Sequence, residues 1–377
     1  MILFAPRPSR RPDEGWFMRL LLESYRRLPG GQLLSGYHNH NYVLRLHNPL
    51  AWMMRVDPGT LGMFRTRIDT LHVVPRLWRN EGQILQAILN NPRLQVPRHL
   101  RSFGNSSLLE FRDGETLSQE FPHGEPVSED VISCLADTLT AIAGVPPEDL
   151  PDRPAHWPSD DDTTGFLSRL IDHSEIQVYE RYRSYFAGLF SDLGITGHAV
   201  SRFRGLADQL KPRPLCLVHT DLHRDNFVLL RHGDGTPNLM VLDWELALFG
   251  DPLHELATHL VRMGYDDDQR KLMTELWHDR MAEQDPRMLN GFDEDLKTYI
   301  AFERSQSIYA DTMRAALTLP REVDAIDDPA LTTAAGLVCR ALRSGSPATG
   351  QQAPPTEEDA AAALLNWHTS TTAMPNA

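Results

Sequence analysis

The chain has few cysteines, no long apolar run and no excess of positive charge, and each shortage removes a class of protein. Its three cysteines, Cys134, Cys216 and Cys339, lie far apart in 377 residues. Neither a disulfide framework nor a Cys-x-x-Cys metal site is suggested, and a reducing, cytoplasmic compartment is expected. No apolar stretch approaches the ~20 residues of a membrane helix. Arg7, Arg10 and Arg11 are followed by no apolar segment with a small-residue cleavage site, so no secretory leader is expected. The formal charge of −14 is spread through clusters such as Asp160 to Asp162 and Asp266 to Asp268. That balance argues against nucleic acid as the main partner and permits a cationic one.

Bulk is ample. With 41% hydrophobic residues the chain can build two packed lobes. Residues 1–15 are rich in Pro and Arg and read as loose, and Phe17 to Leu28 has helical apolar spacing. The segment "GQLLSGYHNHNYVLRLHNPLAWMMRVDPG" reads as three short antiparallel strands near 32–35, 41–47 and 51–56. "RLWRNEGQILQAILNN" reads as a helix and "SSLLEFRDG" as a further strand running into a turn. Beyond residue 117 the pattern is mainly helical, in stretches such as 130–143, 166–189, 200–210, 251–264, 268–284, 292–317 and 329–343, with strands returning at 215–249. The Gly-, Pro-, Gln- and Ser-rich stretch 344–356 reads as a linker before a last helix and a tail. The expected organisation is α+β: an N-terminal lobe over 1–112, a helical lobe over 113–343, and a linker and tail over 344–377.

The densest chemistry is "HTDLHRDN" at 219–226, set between the apolar runs "LCLV" and "FVLL" and followed by "LMVLDWE". The polar cluster is therefore a loop, and the run after it should pair with 239–242 as a hairpin around "RHGDGTPN". A symmetric register puts Phe227 against Leu242 and Asn226 against Asp243. Cross-strand neighbours sit about 5 Å apart at Cβ, close enough for an amide oxygen and a carboxylate to share a hard cation such as Mg²⁺. Asp221, on the loop into that site, is placed to take a proton from a hydroxyl. A cation held by two protein groups keeps positions for phosphate oxygens, which implies a nucleotide as third partner.

"HTDLHRDN" with "VLDWELALFGDP" resembles the catalytic loop and metal motif of the aminoglycoside phosphotransferase and choline kinase superfamily, which is related in fold to protein kinases. Upstream, "LLSGYHNHNYVL" is similar to the family's nucleotide-covering loop, "WMMRV" to its third-strand basic segment, Glu81 to the acidic residue of the next helix, and "LLEFRDGETL" to its hinge. The resemblance covers roughly residues 30–315. It implies a bilobal kinase-like fold with a small antiparallel N-lobe and a helical C-lobe, and an ATP- or GTP-dependent, Mg²⁺-assisted transfer to a hydroxyl. It further implies Asp221 as base, Asn226 and Asp243 as metal ligands, and Arg55 on the phosphates paired with Glu81. The backbone of Ser35, Gly36, Tyr37, His38 and Asn39 would cover the nucleotide, and Glu110 with Phe111 would form the hinge. His219 would brace the loop, and Asp251 and Pro252 read as the N-cap and first residue of the next helix.

The chain departs from the family in having one loop glycine, an arginine in place of lysine, and Arg224 and Asp225 where small residues are usual. Arg224 is a candidate substrate contact or half of a surface ion pair with Asp225. Acceptor contacts are expected from Asp172, Glu175, Glu303 and Asp311, with Glu180 and Arg314 nearby, and acidic groups there would suit an amine. The first substrate expectation is an antibiotic or other hydroxylated natural product, and the second a peptide Ser or Thr. Two other classes stay open: a metallohydrolase holding Zn²⁺ or Mn²⁺ on His219, Asp221, His223 and Asp243, and an inactive binding module.

Overall fold

A computed structural model describes residues 32–35, 39–48, 50–67, 71, 73–78, 80–104, 106–231, 235–320, 326, 328–349 and 354–370. The expected loose segment 1–15, the helix at 17–28, the loop residues Gly36, Tyr37 and His38, and the end of the tail lie outside the described residues.

Five strands, β1 (Gln32–Ser35), β2 (Asn39–Arg45), β3 (Leu61–Arg67), β4 (His99–Phe103) and β5 (Ser106–Glu110), form one antiparallel sheet in the order β1-β2-β3-β5-β4. Strand periodicity sorts its two faces. Leu44, Phe64 and Leu108 turn to the outer face, where Leu50, Ala51 and Met54 pack on them. Asn41, Met63, Arg65 and Leu109 turn inward to a cleft.

The third expected strand, at 51–56, is instead the short helix Leu50–Met54, and the strand itself comes at 61–67. A five-residue apolar run fits either element, and tertiary burial decides. Burying a Leu or Met side chain contributes roughly 1.5–3 kcal/mol, more than the ~1 kcal/mol span of strand propensity. As a helix the run seals the outer face with three buried side chains. Left-handed Arg55 (φ 54°) ends it, and Gly59 (φ 95°) in the following turn redirects the chain into β3. The helix Glu81–Ile88 begins, as its pattern suggests, with Asn80 capping the Gly82 amide at 2.9 Å.

The remainder is helical around β6 (Glu115–Thr116), β7 (Cys216–Val218), the hairpin β8 (Phe227–Arg231) and β9 (Pro237–Val241), and β10 (Leu248–Gly250). Helices Glu129–Ala143, Pro252–Arg262, Asp267–Gln284 and Phe292–Leu317 stand close to where the apolar spacing puts them. The expected helix 166–189 is broken into Thr163–Asp172, a π-helical segment His173–Glu180, and Ala187–Asp192. Asp251 caps helix Pro252–Arg262 through the Leu253 amide and also binds buried Arg213 at 2.6 Å and the Tyr299 hydroxyl at 2.9 Å. Of the stretch expected as a linker, 344–356, residues 344–349 continue helix Asp328–Thr349, 350–353 lie outside the described residues, and 354–356 form no helix or strand. The last helix, Glu357–Ser370, joins the folded body, with Trp367 stacked 5.2 Å from Phe186 and its indole N–H on the Tyr185 carbonyl at 3.0 Å.

Candidate active site

The loop after β7 turns through Thr220, a non-glycine residue at φ 66°. Such a backbone costs about 1–3 kcal/mol and persists only where neighbours over-determine it. Here the Glu255 carboxylate accepts from the Thr220 amide at 3.0 Å and from the His219 amide, and the Thr220 hydroxyl donates to Leu246 O at 2.8 Å. His219, held neutral by burial, reaches Leu242 O through Nε2 at 2.8 Å and packs edge-on to Trp244. It ties this loop to the end of the hairpin.

That turn delivers Asp221 to the cleft floor. Its carboxylate is bound by Arg262, by the Asn226 amide nitrogen at 3.0 Å, and by His223 at 3.5 Å. Burial alone would raise its pKa, but Arg262 and then His223 hold it well below the usual carboxylate range. His223 shows the reverse balance: burial lowers it, while Asp221 and Asp225 outweigh burial and hold it at about 9. Asn226 gives its nitrogen to both the carbonyl (2.8 Å) and the carboxylate of Asp221, and its oxygen accepts no hydrogen bond among the described residues.

The hairpin register differs by one residue from the symmetric expectation. Phe227 pairs with Val241, and Leu242 N donates to Asn226 O at 2.8 Å, so Asp243 lies one step beyond the pair. A left-handed Asp243 (φ 62°, ψ 58°) bends the chain there. Arg65 Nη2 lies 3.1 Å from Asp243 Oδ1 as an ion contact, yet no hydrogen bond is directed at that buried oxygen.

The buried partner of Glu81 is Arg65 of β3, at 2.9 Å and 3.0 Å to its two oxygens, with a further bond to Asn41 at 3.3 Å. Glu81 also accepts from the Trp244 amide at 3.0 Å, linking the sheet to the floor. Arg55 is corrected by this geometry: it is exposed at the end of a helix on the outer face and makes no pair with Glu81. The missing signal is positional: Arg65 shares the inward face of β3 with Met63, in a strand that stands ten residues beyond the expected one.

These groups line a cleft of about 720 Å³, which also takes in Glu110 and Phe111 and the apolar side chains Met63, Leu109, Val228 and Met240. Ser35 and Asn39 stand at the facing ends of β1 and β2, around the loop outside the described residues. A second cavity of about 510 Å³ adjoins it, and Val74, His223, Arg262 and Arg314 line both. Arg262 stands between Asp221 and Glu303, to whose Oε1 its Nε donates at 3.2 Å. No motif marks Arg262 in the sequence, because its partners lie 41 residues away on either side.

Of the four acidic acceptor candidates, Glu303 and Asp311 line the second cavity. Asp172 and Glu175 line neither and are bound to Arg204. Arg224 is not a substrate contact or a surface pair: it is buried, donating to the carbonyls of Met263, Phe121, Pro122 and Glu125 at 2.7–2.9 Å. The His219–Asp221–His223 alternation does not converge as a metal set, and the His219 ring is instead packed on Trp244 and bound to Leu242 O. Among the described residues no three His, Cys, Asp or Glu side chains gather as a metal cage. The two hard oxygen donors, Asn226 Oδ1 and the unbonded Asp243 Oδ1, fit a magnesium ion that completes its shell with phosphate and water.

No helix among the described residues is long and apolar enough to cross a membrane. Among solved structures, the choline kinase LicA from Streptococcus pneumoniae is similar over 88% of this chain and 99% of its own, at 15% identity and a TM-score of 0.51. The GDP and kanamycin complex of APH(2")-IIia is similar over 89% and 99%, also at 15% identity and 0.51. At that identity the likeness shows a shared kinase-like fold. No curated protein sequence matches the chain. The model of the APH phosphotransferase enzyme family matches residues 25–292, which hold the sheet, Asp221 and the hairpin. The chain therefore belongs to this phosphotransferase family, and it is a phosphotransferase with an alcohol group of a small molecule as acceptor.

Proposed function

We propose that the enzyme moves the γ-phosphoryl group of ATP or GTP to a hydroxyl of a hydroxylated natural product, an antibiotic or a relative of one. The observation that carries this reading is the position of Asp221, which lines the first cavity and whose carboxylate is held by Arg262 and His223, residues that line both cavities. The base of the nucleotide would lie between Met63 and Leu109 of the sheet and Val228 and Met240 of the hairpin, along the Glu110–Phe111 edge. Arg65, oriented by Glu81, would reach the phosphates as a planar fork in place of the family's lysine. Asn226 and Asp243 would hold Mg²⁺. When bound, the ion supplies neutralisation of charge on the phosphate oxygens.

Asp221 would orient the acceptor hydroxyl in line with the γ-phosphorus and take its proton as the O–P bond forms. Its depressed pKa keeps it ionised throughout the neutral range. We place the lobe boundary at 112/113 and the enzyme in the cytoplasm, where three free cysteines are at home. Release of ADP or GDP by purified protein with Mg²⁺ and an acceptor panel tests the reading, beside Asp221→Ala. Acceptor-dependent release that the variant loses supports it; no Mg²⁺-dependent nucleotide binding at all overturns it in favour of the binding module.

A further inference from the structure

The acidic residues expected to draw in an amine are already occupied. Glu303 is 2% exposed and accepts from both Arg262 and Gln306. Asp311 faces Arg314 at 3.5 Å. No Phe, Tyr or Trp is among the described residues of the second cavity, so it has no aromatic face on which a quaternary ammonium would sit. Its far wall is one face of helix Asp328–Thr349, with Leu337, Arg340, Ala341 and Ser344 at the i, i+3, i+4, i+7 spacing of a single stripe. Arg340 on that stripe is exposed and makes no ion pair among the described residues. Among the described residues each carboxylate in the second cavity thus has its arginine, and one guanidinium is left over.

Resting on the phosphotransferase reading above, we propose that the acceptor carries an anionic group, a carboxylate or a phosphate, beside its hydroxyl, and that Arg340 binds it. A guanidinium offers two parallel N–H donors to either anion. The wall opposite Asp221 then selects for negative charge, while a polyamine would meet arginines and find no vacant carboxylate. The acceptor's anion would be anchored on the helix Asp328–Thr349, leaving its hydroxyl to extend toward Asp221 past Arg262 and Arg314.

The test uses matched sugars on the full-length protein saturated with ADP and Mg²⁺, so that the nucleotide cleft is filled. Gluconate, glucitol and glucamine form one charge series; glucose 6-phosphate, glucose and glucosamine form the other. Calorimetric titration should show the anionic member of at least one series binding about tenfold or more tighter than its neutral and cationic partners, the worth of one charge-assisted hydrogen bond. Tight gluconate with weak glucose 6-phosphate identifies a carboxylate acceptor, and the reverse a phosphate one. Arg340→Glu should abolish the preference without changing ADP affinity, and Arg340→Lys should keep part of it. Equal binding across both series, preference for the amines, absence of binding by both anions at millimolar concentration, or an unchanged preference in Arg340→Glu overturns the proposal. Retained Mg²⁺-dependent ADP binding in those cases leaves the kinase reading standing; its loss sinks both.

Discussion

The two cavities meet at Arg262 and His223, the partners of Asp221, but are built on opposite principles. The floor of the first cleft is shaped by unusual backbone and by ties to it: Thr220 and Asp243 are left-handed, His219 bridges one loop to the other, and Glu81 is held by both Arg65 and the Trp244 amide. The second cavity is walled mainly by faces of three regular helices, Pro252–Arg262, Phe292–Leu317 and Asp328–Thr349, whose side chains project from backbone that any residue accepts, with Val73, Val74, His123 and His223 closing the rest. Chemistry is thereby stored in the chain path, where substitution is costly. Specificity is stored in side chains on helix surfaces, where substitution leaves the path intact.

Four perturbations probe that division. The largest effect is expected from Asp221→Asn, which keeps the shape and the Asn226 contact but removes the base: turnover should fall by about 10²–10⁴-fold with nucleotide affinity little changed, read by steady-state release and calorimetry. Next comes Glu81→Gln. Breaking a buried ion pair costs about 3–5 kcal/mol, so chemical denaturation should show a loss in that range together with a raised KM for the nucleotide. A loss below about 1 kcal/mol would mean that the sheet and floor are not coupled through this residue.

Arg262→Gln is a smaller, diagnostic change. Arg262 depresses the pKa of Asp221, so its removal lets that pKa rise, and the acid limb of the kcat profile should move to higher pH. A uniform loss with an unmoved limb would assign Arg262 to packing alone. Smallest is the pH dependence of the helix layer itself. His254 and His259 are buried and neutral with pKa values lowered to about 4 by desolvation. The unfolded chain binds more protons between about 4 and 6.5, so this stability is present above 6.5 and lost as pH falls through that window, on the order of 1 kcal/mol per unit for each group. His254→Phe should flatten the slope of melting temperature between pH 5 and 7.

What the sequence disclosed follows the same division. The loop 219–226 and the Asp243 motif are contiguous, so spacing along the chain and distance in space coincide, and both were legible. Arg65 was not, because its identity depends on which of two neighbouring apolar runs becomes the third strand, and burial of Leu50, Ala51 and Met54 settles that only in three dimensions. Lysine was no guide either: the chain has three, none before Lys211, while arginines stand at 45, 55, 65 and 67. The hairpin was visible but its register was not, since a slip of one residue leaves the apolar pattern of so short a strand nearly unchanged. Arg262, Arg224 and the true neighbours of Glu303 are tertiary facts with no local trace.

The tie from His219 to Leu242 has a mechanical consequence. It joins the loop of Asp221 to the end of the hairpin as one jaw, so that Asp221 and Asp243 would move together were the mouth to widen. The opposing jaw, the sheet, grips it through Glu81 on the Trp244 amide and Arg65 on Asp243. A rocking of one jaw on the other would be felt first at these two grips, and the distance from Arg65 to Asp243 would be the caliper for the opening of the mouth.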